Sequence, residues 1–233
     1  IKTTHGLSAV GEMMAATLSA VDPCNFERSA DVEGAGAWFT FETKAGRAIG
    51  HVTLEGGKCK TLFTALKELK GFEEAKGATS PNADQPYCLI IGGGQCGVAL
   101  AARLKQLNVP TLVVEKNERA GDNWRKRYAS LTLHDPVHMD HFPYIPFPDH
   151  YPAFMPKDML ADFIESYVQL MGLNYWTDAA CEGAHYDEAS GTWTVTINRG
   201  GEEISLNPTH VILATGMSGF PKQPNFDGQD IFK

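Results

Sequence analysis

Residues 88–104 read "CLIIGGGQCGVALAARL", and this stretch decides the fold of the second part of the chain. The run from Tyr87 to Ile91 is apolar and β-leaning, and apolar residues then recur at helical spacing. The sequence therefore predicts a strand, a glycine turn and a helix. In the spacing Gly92-x-Gly94-x-x-Gly97, the glycines permit a tight turn, a close approach of the backbone to a pyrophosphate, and close packing of helix on strand. The N–H groups at the helix start then face the phosphates.

The run "NVPTLVVE" at 108–115 predicts a second strand, which ends in an acid. Glu115 follows Gly92 by 115 − 92 = 23 positions, close to the offset of about 20 residues at which an acid meets the ribose hydroxyls. A carboxylate accepts a hydrogen bond from a 2′-OH and repels a 2′-phosphate, so the pattern favours FAD or NAD over NADP. Lys116 is included among the predicted cofactor-binding residues. The alternative is that Glu115 is a solvated acid at the end of a strand.

The composition is that of an ordinary soluble protein. The chain has 233 residues, of which 43% are hydrophobic and 21% charged, enough for one large or two modest domains. Its net charge of −8 argues against a nucleic-acid or anionic-membrane surface, because such partners select a basic face. The apolar runs are shorter than the ~18 residues of a membrane span, and the opening residues lack a signal-peptide pattern. These features predict no membrane span and a cytoplasmic location.

The five cysteines form no C-x-x-C pair, and their number is odd. Free thiols in a reducing compartment are the plain interpretation. A disulfide reductase on the same nucleotide fold is expected to carry a redox pair, so the cysteines favour other chemistry. Cys96, inside the glycine turn, is interpreted as a small packing residue.

Composition divides the chain into two domains. Residues 78–86, "ATSPNADQP", are small, polar and flanked by proline, which predicts a linker. Residues 1–77 show a short helix at 7–18 and then β-leaning runs separated by "KAG" and "GG", which predicts an antiparallel meander. This order resembles the later part of a SnoaL-like cone fold. The resemblance implies a partial α+β domain with a structural or interaction role.

Residues 87–233 hold further elements after the second strand. One apolar face runs from Met159 to Met171, between Pro156 and Gly172, and predicts a helix. The runs "TWTVTIN" and "EEISL" around "RGG" predict a β-hairpin. The stretch "THVILATG" at 209–216 predicts a third, buried strand. Its Thr215 and Gly216 would lie at the carboxyl end of a parallel strand, where open α/β sheets bind ligands.

The order of five features is the basis of a family resemblance. They are the glycine turn, the strand ending in an acid, the stretch "AGDNWRKRYASLTLHDP" at 120–136, the hairpin, and "VILATG". This order resembles the FAD half of the flavin-containing monooxygenases, in the branch with plant YUCCA-type enzymes and bacterial relatives. The implied fold class is α/β: a Rossmann-like FAD-binding domain with an inserted β-hairpin, preceded by part of an α+β cone-type domain.

The resemblance also implies residues beside the flavin. The family pattern G-G-x-W-R corresponds here to residues 121–125, with Asp122 in place of the second glycine. Gly121, Trp124 and Arg125 are therefore expected to contact the flavin. The next loop, "LTLHDPVHMDHFP", is expected to run beneath it, with His134 near the reactive edge as the catalytic candidate. Three histidines and two aspartates in this loop suggest metal ligands, but prolines interrupt any helical ligand spacing, and no metal site is expected.

The implied reaction uses FAD and NADPH. NADPH reduces FAD, and the reduced flavin with O2 delivers one oxygen atom to a small nucleophilic or carbonyl substrate. The family's NADPH-binding glycine turn is expected beyond Lys233, and "FK" at 232–233 resembles the start of its F-x-G-x-x-x-H fingerprint, so the chain is expected to be a fragment. Two alternatives remain. One is an FAD-dependent oxidase or reductase, and the other is a non-enzymatic interaction module.

Overall fold

The structure is a computed structural model that describes residues 3–29, 36–75, 85–217 and 224–231. Clustering of contacts divides the chain into two units, Ile1–Glu74 and Ala75–Lys233. Most of the predicted linker, residues 78–84, lies outside the described residues, as does the pair 232–233. The predicted domain bounds of 1–77, 78–86 and 87–233 therefore stay a prediction.

The first unit is a helix followed by a four-stranded antiparallel sheet in the order β1-β2-β3-β4. Its elements are α1 (Leu7–Val21), β1 (Cys24–Arg28), β2 (Gly36–Glu42), β3 (Gly46–Glu55) and β4 (Lys58–Leu69). Gly56 and Gly57 join β3 to β4 with φ of 58° and 75°, the two positive values that a type I′ hairpin turn requires. The predicted meander is confirmed, and β1 is an additional strand.

The first unit buries few apolar side chains. Among its described residues, Phe41 and Ala48 are the buried hydrophobic ones, and α1 buries none. Its assignment to a SnoaL-like domain stays a prediction. Across all described residues, no helix is both long and apolar enough to cross a membrane.

The second unit is built on a parallel sheet in the order β11-β5-β6-β7. In chain order its elements are β5 (Cys88–Ile91), α2 (Gln95–Gln106), β6 (Thr111–Val114), α3 (Asp122–Arg125), α4 (Lys157–Leu170), β7 (Tyr175–Trp176), β8 (Ala179–Asp187), β9 (Thr192–Arg199), β10 (Glu202–Leu206) and β11 (His210–Leu213). The predicted strand, glycine turn and helix are confirmed, and so are the α/β fold class and the helix that follows Pro156.

Both faces of the parallel sheet are covered. Along β5, Leu89 packs with the antiparallel sheet β10-β9-β8, while its neighbour Ile90 packs with α2; both side chains are fully buried. Successive side chains of a strand point to opposite faces, so burial on both faces explains the continuous apolar run. The predicted hairpin is confirmed as β9 and β10, and β8 adds a third strand to it.

The prediction that "THVILATG" forms a buried strand is wrong in one respect. Strand β11 pairs in parallel with β5 as expected, but it lies at the edge of the sheet. His210 and Leu213 are exposed, and Leu213 retains 74% of its accessible surface. A run of apolar residues is compatible with a central or an edge strand, because the sequence does not state how many neighbours the strand has.

Candidate functional site

Three strands end side by side at the carboxyl edge of the parallel sheet. Their last residues pair directly, Leu213 with Ile91 and Ile91 with Val114. The segments that follow are therefore neighbours, and they include the glycine turn after β5 and Glu115 after β6. This edge is where open α/β sheets bind their ligands.

Each glycine of the turn occupies a place that a side chain would disturb. Gly92 has φ of +107°, and a Cβ there would lie 2.5 Å from the carbonyl oxygen of Ala214. A Cβ on Gly97 would collide with the carbonyl oxygen of Gly92, and one on Gly94 would lie 3.0 Å from Asn123 Nδ2. Helix α2 begins after Gly94 without a side-chain cap. The turn is therefore a bare backbone cradle that ends in a helix N-terminus, which suits a pyrophosphate.

Glu115 is bonded to the glycine turn itself. Its side chain is buried, with 7% of the residue exposed, and Oε2 accepts a hydrogen bond from the Gly93 N–H at 2.9 Å. Oε1 accepts bonds from Asn117, from the backbone N–H at 2.9 Å and from Nδ2 at 2.7 Å. The interpretation of Glu115 as a solvated acid is thus wrong, because the carboxylate is enclosed by the turn and the loop after β6. Lys116, the next residue, is exposed.

Tyr175 also supports the turn, and sequence patterns did not predict this contact. Its hydroxyl donates to the carbonyl oxygen of Gly93 at 3.0 Å, and a side chain on Gly93 would collide with the tyrosine ring. Burial, reinforced by the charges of Glu115 and Asp122, raises the pKa of Tyr175 above its usual value, so the phenol keeps its proton. The two-residue strand β7 is too short to leave a pattern that would have revealed this contact.

Helix α3 carries Trp124 and is packed on α4. Gly121, just before α3, has φ of +88°, and a Cβ there would collide with the backbone of Ala161. Asp122, which stands where the family has its second glycine, lies in the first turn of α3 and is buried at 7% exposure. The left-handed conformation falls on Gly121, so the aspartate is accommodated without backbone strain.

Arg125 points into an ion-pair cluster. Its guanidinium is occupied by carboxylates. Nη1 donates to Asp122 at 3.1 Å, and Nη2 donates to Asp162 at 2.8 Å and to Glu165 at 2.9 Å. Arg119 adds a two-pronged pair with Glu165 at 3.1 and 2.6 Å. Arg125 thus fastens α3 to α4 and does not line the neighbouring cavity.

A cavity of about 600 Å³ opens beside the start of α2. Trp124 and His134 both line it, so the structure brings together two of the residues expected beside the flavin. The indole N–H of Trp124 donates to Gln95 Oε1 at 3.1 Å, and the Arg127 guanidinium lies 5.8 Å from the ring centre. The full lining is Gln95, Cys96, Ala99, Trp124, Arg127, Tyr128, Leu131, Thr132, Leu133, His134, Asp135, Asp140, His141, Phe142, Phe147 and Leu160.

Some residues of the cavity were predicted with a different role, and others were not predicted. Cys96 is exposed and lines the cavity, so the interpretation as a packing residue is wrong; in the first turn of α2, Gln95 and Cys96 face the cavity, while Gly97 and Val98 are buried. The other predicted ligand-binding residues, Thr215 and Gly216, are exposed after β11 and do not line the cavity. Gln95, which follows Gly94, and Arg127, two residues after Arg125, were not predicted.

The histidine-rich loop is open to solvent. The His134 side chain is 93% exposed, and Nε2 lies 3.4 Å from an Asp135 carboxylate oxygen. Within the described ranges, no three histidine, cysteine or acidic side chains are grouped so that they could hold a metal ion. His134 therefore belongs to the cavity wall.

Comparison with known proteins identifies the second unit. A family model described as pyridine nucleotide-disulphide oxidoreductase matches residues 89–233. The chain belongs to this family. This member of the family has five free cysteines, at positions 24, 59, 88, 96 and 181. Burial raises the pKa of the Cys88 thiol to about 11, so this cysteine is a packing residue of the family's sheet.

Several proteins similar to this member of the family are monooxygenases by name. A probable indole-3-pyruvate monooxygenase, YUCCA9 of Arabidopsis thaliana, is 36% identical over 141 residues, covering 60% of this chain and 34% of the relative. Indole-3-pyruvate monooxygenase YUCCA1 of Oryza sativa subsp. japonica is 34% identical over 148 residues, covering 63% and 36%. The crystal structure of OTEMO in complex with FAD and NADP shares the fold, with a TM-score of 0.54 at 23% identity over 64% of this chain and 29% of that one.

These relatives confirm the predicted resemblance to the flavin-containing monooxygenases. The chain spans about a third of the length of the curated relatives that it matches.

Proposed function

We propose that the second unit is the FAD-binding portion of an NADPH-dependent flavin monooxygenase that inserts one oxygen atom from O2 into a small organic substrate. One observation carries the proposal: Glu115 is buried at the end of β6 and is bonded to the Gly93 N–H of the glycine turn. A carboxylate so placed favours ribose hydroxyls and repels a 2′-phosphate. The acid leaves FAD or NAD for this turn, and the similarity to flavin monooxygenases favours FAD.

The residues present fit FAD from one end to the other. Gly92, Gly94 and Gly97 leave room for the pyrophosphate, because a Cβ at each would fill or crowd the turn. Glu115 receives the ribose, with Lys116 beside it, and Thr215 and Gly216 border the turn on its β11 side. Trp124 and His134 line the cavity that would receive the flavin ring, Gly121 precedes the helix that carries Trp124, and Arg125 fastens that helix to α4.

The cavity is where the side chains of the protein would contact the flavin and the substrate. FAD, when bound, supplies the electron transfer and the oxygen chemistry. Aromatic and aliphatic side chains line that space beside polar and charged ones, and His134 is the predicted catalytic residue on it. NADPH as the reductant and O2 as co-substrate, which the names of the relatives support, complete the proposal together with a cytoplasmic location.

The first experiment measures FAD binding. The purified chain is titrated with FAD, and quenching of flavin fluorescence gives a dissociation constant, with Gly94→Val as the variant that fills the cradle. Saturable binding that the variant loses supports the proposal. A chain that binds NAD or no nucleotide contradicts it.

The second experiment tests oxygen insertion. The protein with FAD, reduced by NADPH or photochemically, is supplied with 18O2 and indole-3-pyruvate, the substrate in the relatives' names, and with a panel of small amines, sulfides and ketones. Incorporation of one labelled atom into a product supports a monooxygenase. Hydrogen peroxide as the sole oxygen product across the panel indicates an oxidase instead.

A further inference from the structure

We propose that Lys157 is a positioning residue that holds together the two walls of the cavity. The tryptophan wall is residues 122–128, which include α3 and Trp124, and the histidine wall is residues 131–137, which include His134. Lys157 is the first residue of α4, outside the cavity lining. That the cavity receives a flavin rests on the proposed function, whereas the contacts of Lys157 do not.

The histidine wall is bonded to the segment that leads into α4. The Leu133 N–H donates to the Met155 carbonyl at 2.8 Å, and the Val137 N–H donates to the Ala153 carbonyl at 2.7 Å. The Lys157 N–H continues the series by donating to the Leu131 carbonyl at 3.0 Å. The backbone of Lys157, the first residue of α4, therefore makes the last hydrogen bond of this series to the histidine wall.

The side chain of Lys157 reaches the other wall. Nζ donates to the carbonyl oxygen of Arg125 at 2.9 Å, at the last residue of α3 and one residue beyond Trp124. Only 6% of Lys157 is exposed, and its ammonium also pairs with Asp158 at 2.6 Å. Burying an ammonium is costly unless it is paired and hydrogen-bonded, so these partners fix its position. One residue thus ties both walls to the start of α4.

Helix α3 depends on such support. It has four residues, about one turn, and a helix this short does not persist on its own. The Arg125 guanidinium fixes its side toward α4, and Lys157 fixes its last carbonyl. Without the ammonium, the Arg125 carbonyl loses its donor, and the orientation of Trp124 toward Gln95 loses a constraint.

A second lysine provides a matched control at the opposite end of α4. Lys105 Nζ donates to the carbonyl oxygens of Met171 and Gly172 at 2.8 and 2.6 Å. It therefore makes the same kind of bond, from an ammonium to backbone carbonyls, and it lines no part of the cavity. A purely structural role predicts that removal of either ammonium has the same consequences.

The test compares Lys157→Met with Lys105→Met in the whole chain. Hydrogen exchange is followed without FAD in residues 122–137 and in the middle of α4, and FAD affinity and the visible circular dichroism of bound FAD are measured. We expect Lys157→Met to speed exchange in both walls roughly tenfold, as for the loss of about one such bond. It should also weaken FAD binding about tenfold and change the flavin dichroism. Lys105→Met should leave all three within about twofold of the parent.

A third variant guards against misfolding. Lys157→Arg keeps a cationic donor, and it should restore most of the wall protection that Lys157→Met loses. Unchanged exchange in the walls of Lys157→Met, or equal effects in the two methionine variants, would overturn the inference. A parent that binds no FAD contradicts the proposed function instead, and the exchange data then still decide the role of Lys157.

Discussion

At the scale of single residues, Glu115 has two tasks, because the carboxylate that we propose as the ribose ligand also accepts the Gly93 N–H. Glu115→Ala should weaken FAD binding about 10- to 100-fold and, by leaving Gly93 without its acceptor, cost about 1 to 3 kcal/mol of folding free energy. The sequence alone suggests an almost neutral strand-end change. FAD titration and urea unfolding measure the two effects.

Two variants separate these tasks. Glu115→Gln keeps a carbonyl oxygen for Gly93 and should recover most of the stability, while FAD binding stays reduced. Glu118→Ala, at an exposed position three residues on, should change neither quantity. Unchanged FAD affinity in Glu115→Ala would remove Glu115 from the ribose site.

At the scale of elements, the contact of α3 with α4 requires Gly121. Its φ of +88° disfavours any side chain, and a Cβ would collide with the Ala161 backbone. Gly121→Ala should cost about 3 kcal/mol in urea unfolding. Gly183→Ala in β8, where a Cβ meets no atom within 4 Å, should stay within about 0.5 kcal/mol of the parent. Equal effects of the two changes would show that α3 does not need this close approach.

The same contact should weaken in acid. The hydrogen bond from Arg119, together with the charge of Arg125 and against the effect of burial, lowers the pKa of Glu165 below its ordinary value of 4.5. A carboxyl with a depressed folded pKa stabilises above the unfolded value and loses that contribution as pH falls through the folded value. The difference in Tm between the parent and Glu165→Gln should therefore be constant from pH 7 to about 5 and shrink below pH 4.5. A difference that persists at pH 2 would contradict this assignment.

At the scale of the whole molecule, the two units differ in how much they bury. Twenty of the buried hydrophobic residues among the described ranges lie in the second unit, against Phe41 and Ala48 in the first. Calorimetry should therefore show two transitions, the first unit melting at the lower temperature. FAD at 100 times its Kd should raise the upper one alone, by the equivalent of about 2.7 kcal/mol. A single transition, or an FAD shift in both, would contradict the division.

The sequence predicted the elements whose pattern is local and missed those defined by distant neighbours. The glycine turn, α2, β6 and α4 were predicted because the spacing of apolar residues and the presence of turn residues can be recognised within each segment. Strand β7, the enclosure of Glu115 and the edge position of β11 depend on which segments meet, which no single segment records. Tyr175 and Lys157 belong to the same class, since each acts on a residue more than 30 positions away.

The close approach of the Gly92 backbone to that of Ala214 bears on the order in which the glycine turn is completed during synthesis. The ribosome completes the glycine turn early, yet the backbone that closes it from the other side emerges only after β6, α4 and the three-stranded sheet have been made. A nascent chain therefore presents half a nucleotide cradle beside an unpaired strand. Because this distant pairing must form before the cradle is complete, FAD capture should follow the synthesis of β11, and cells short of FAD would accumulate intact protein without flavin.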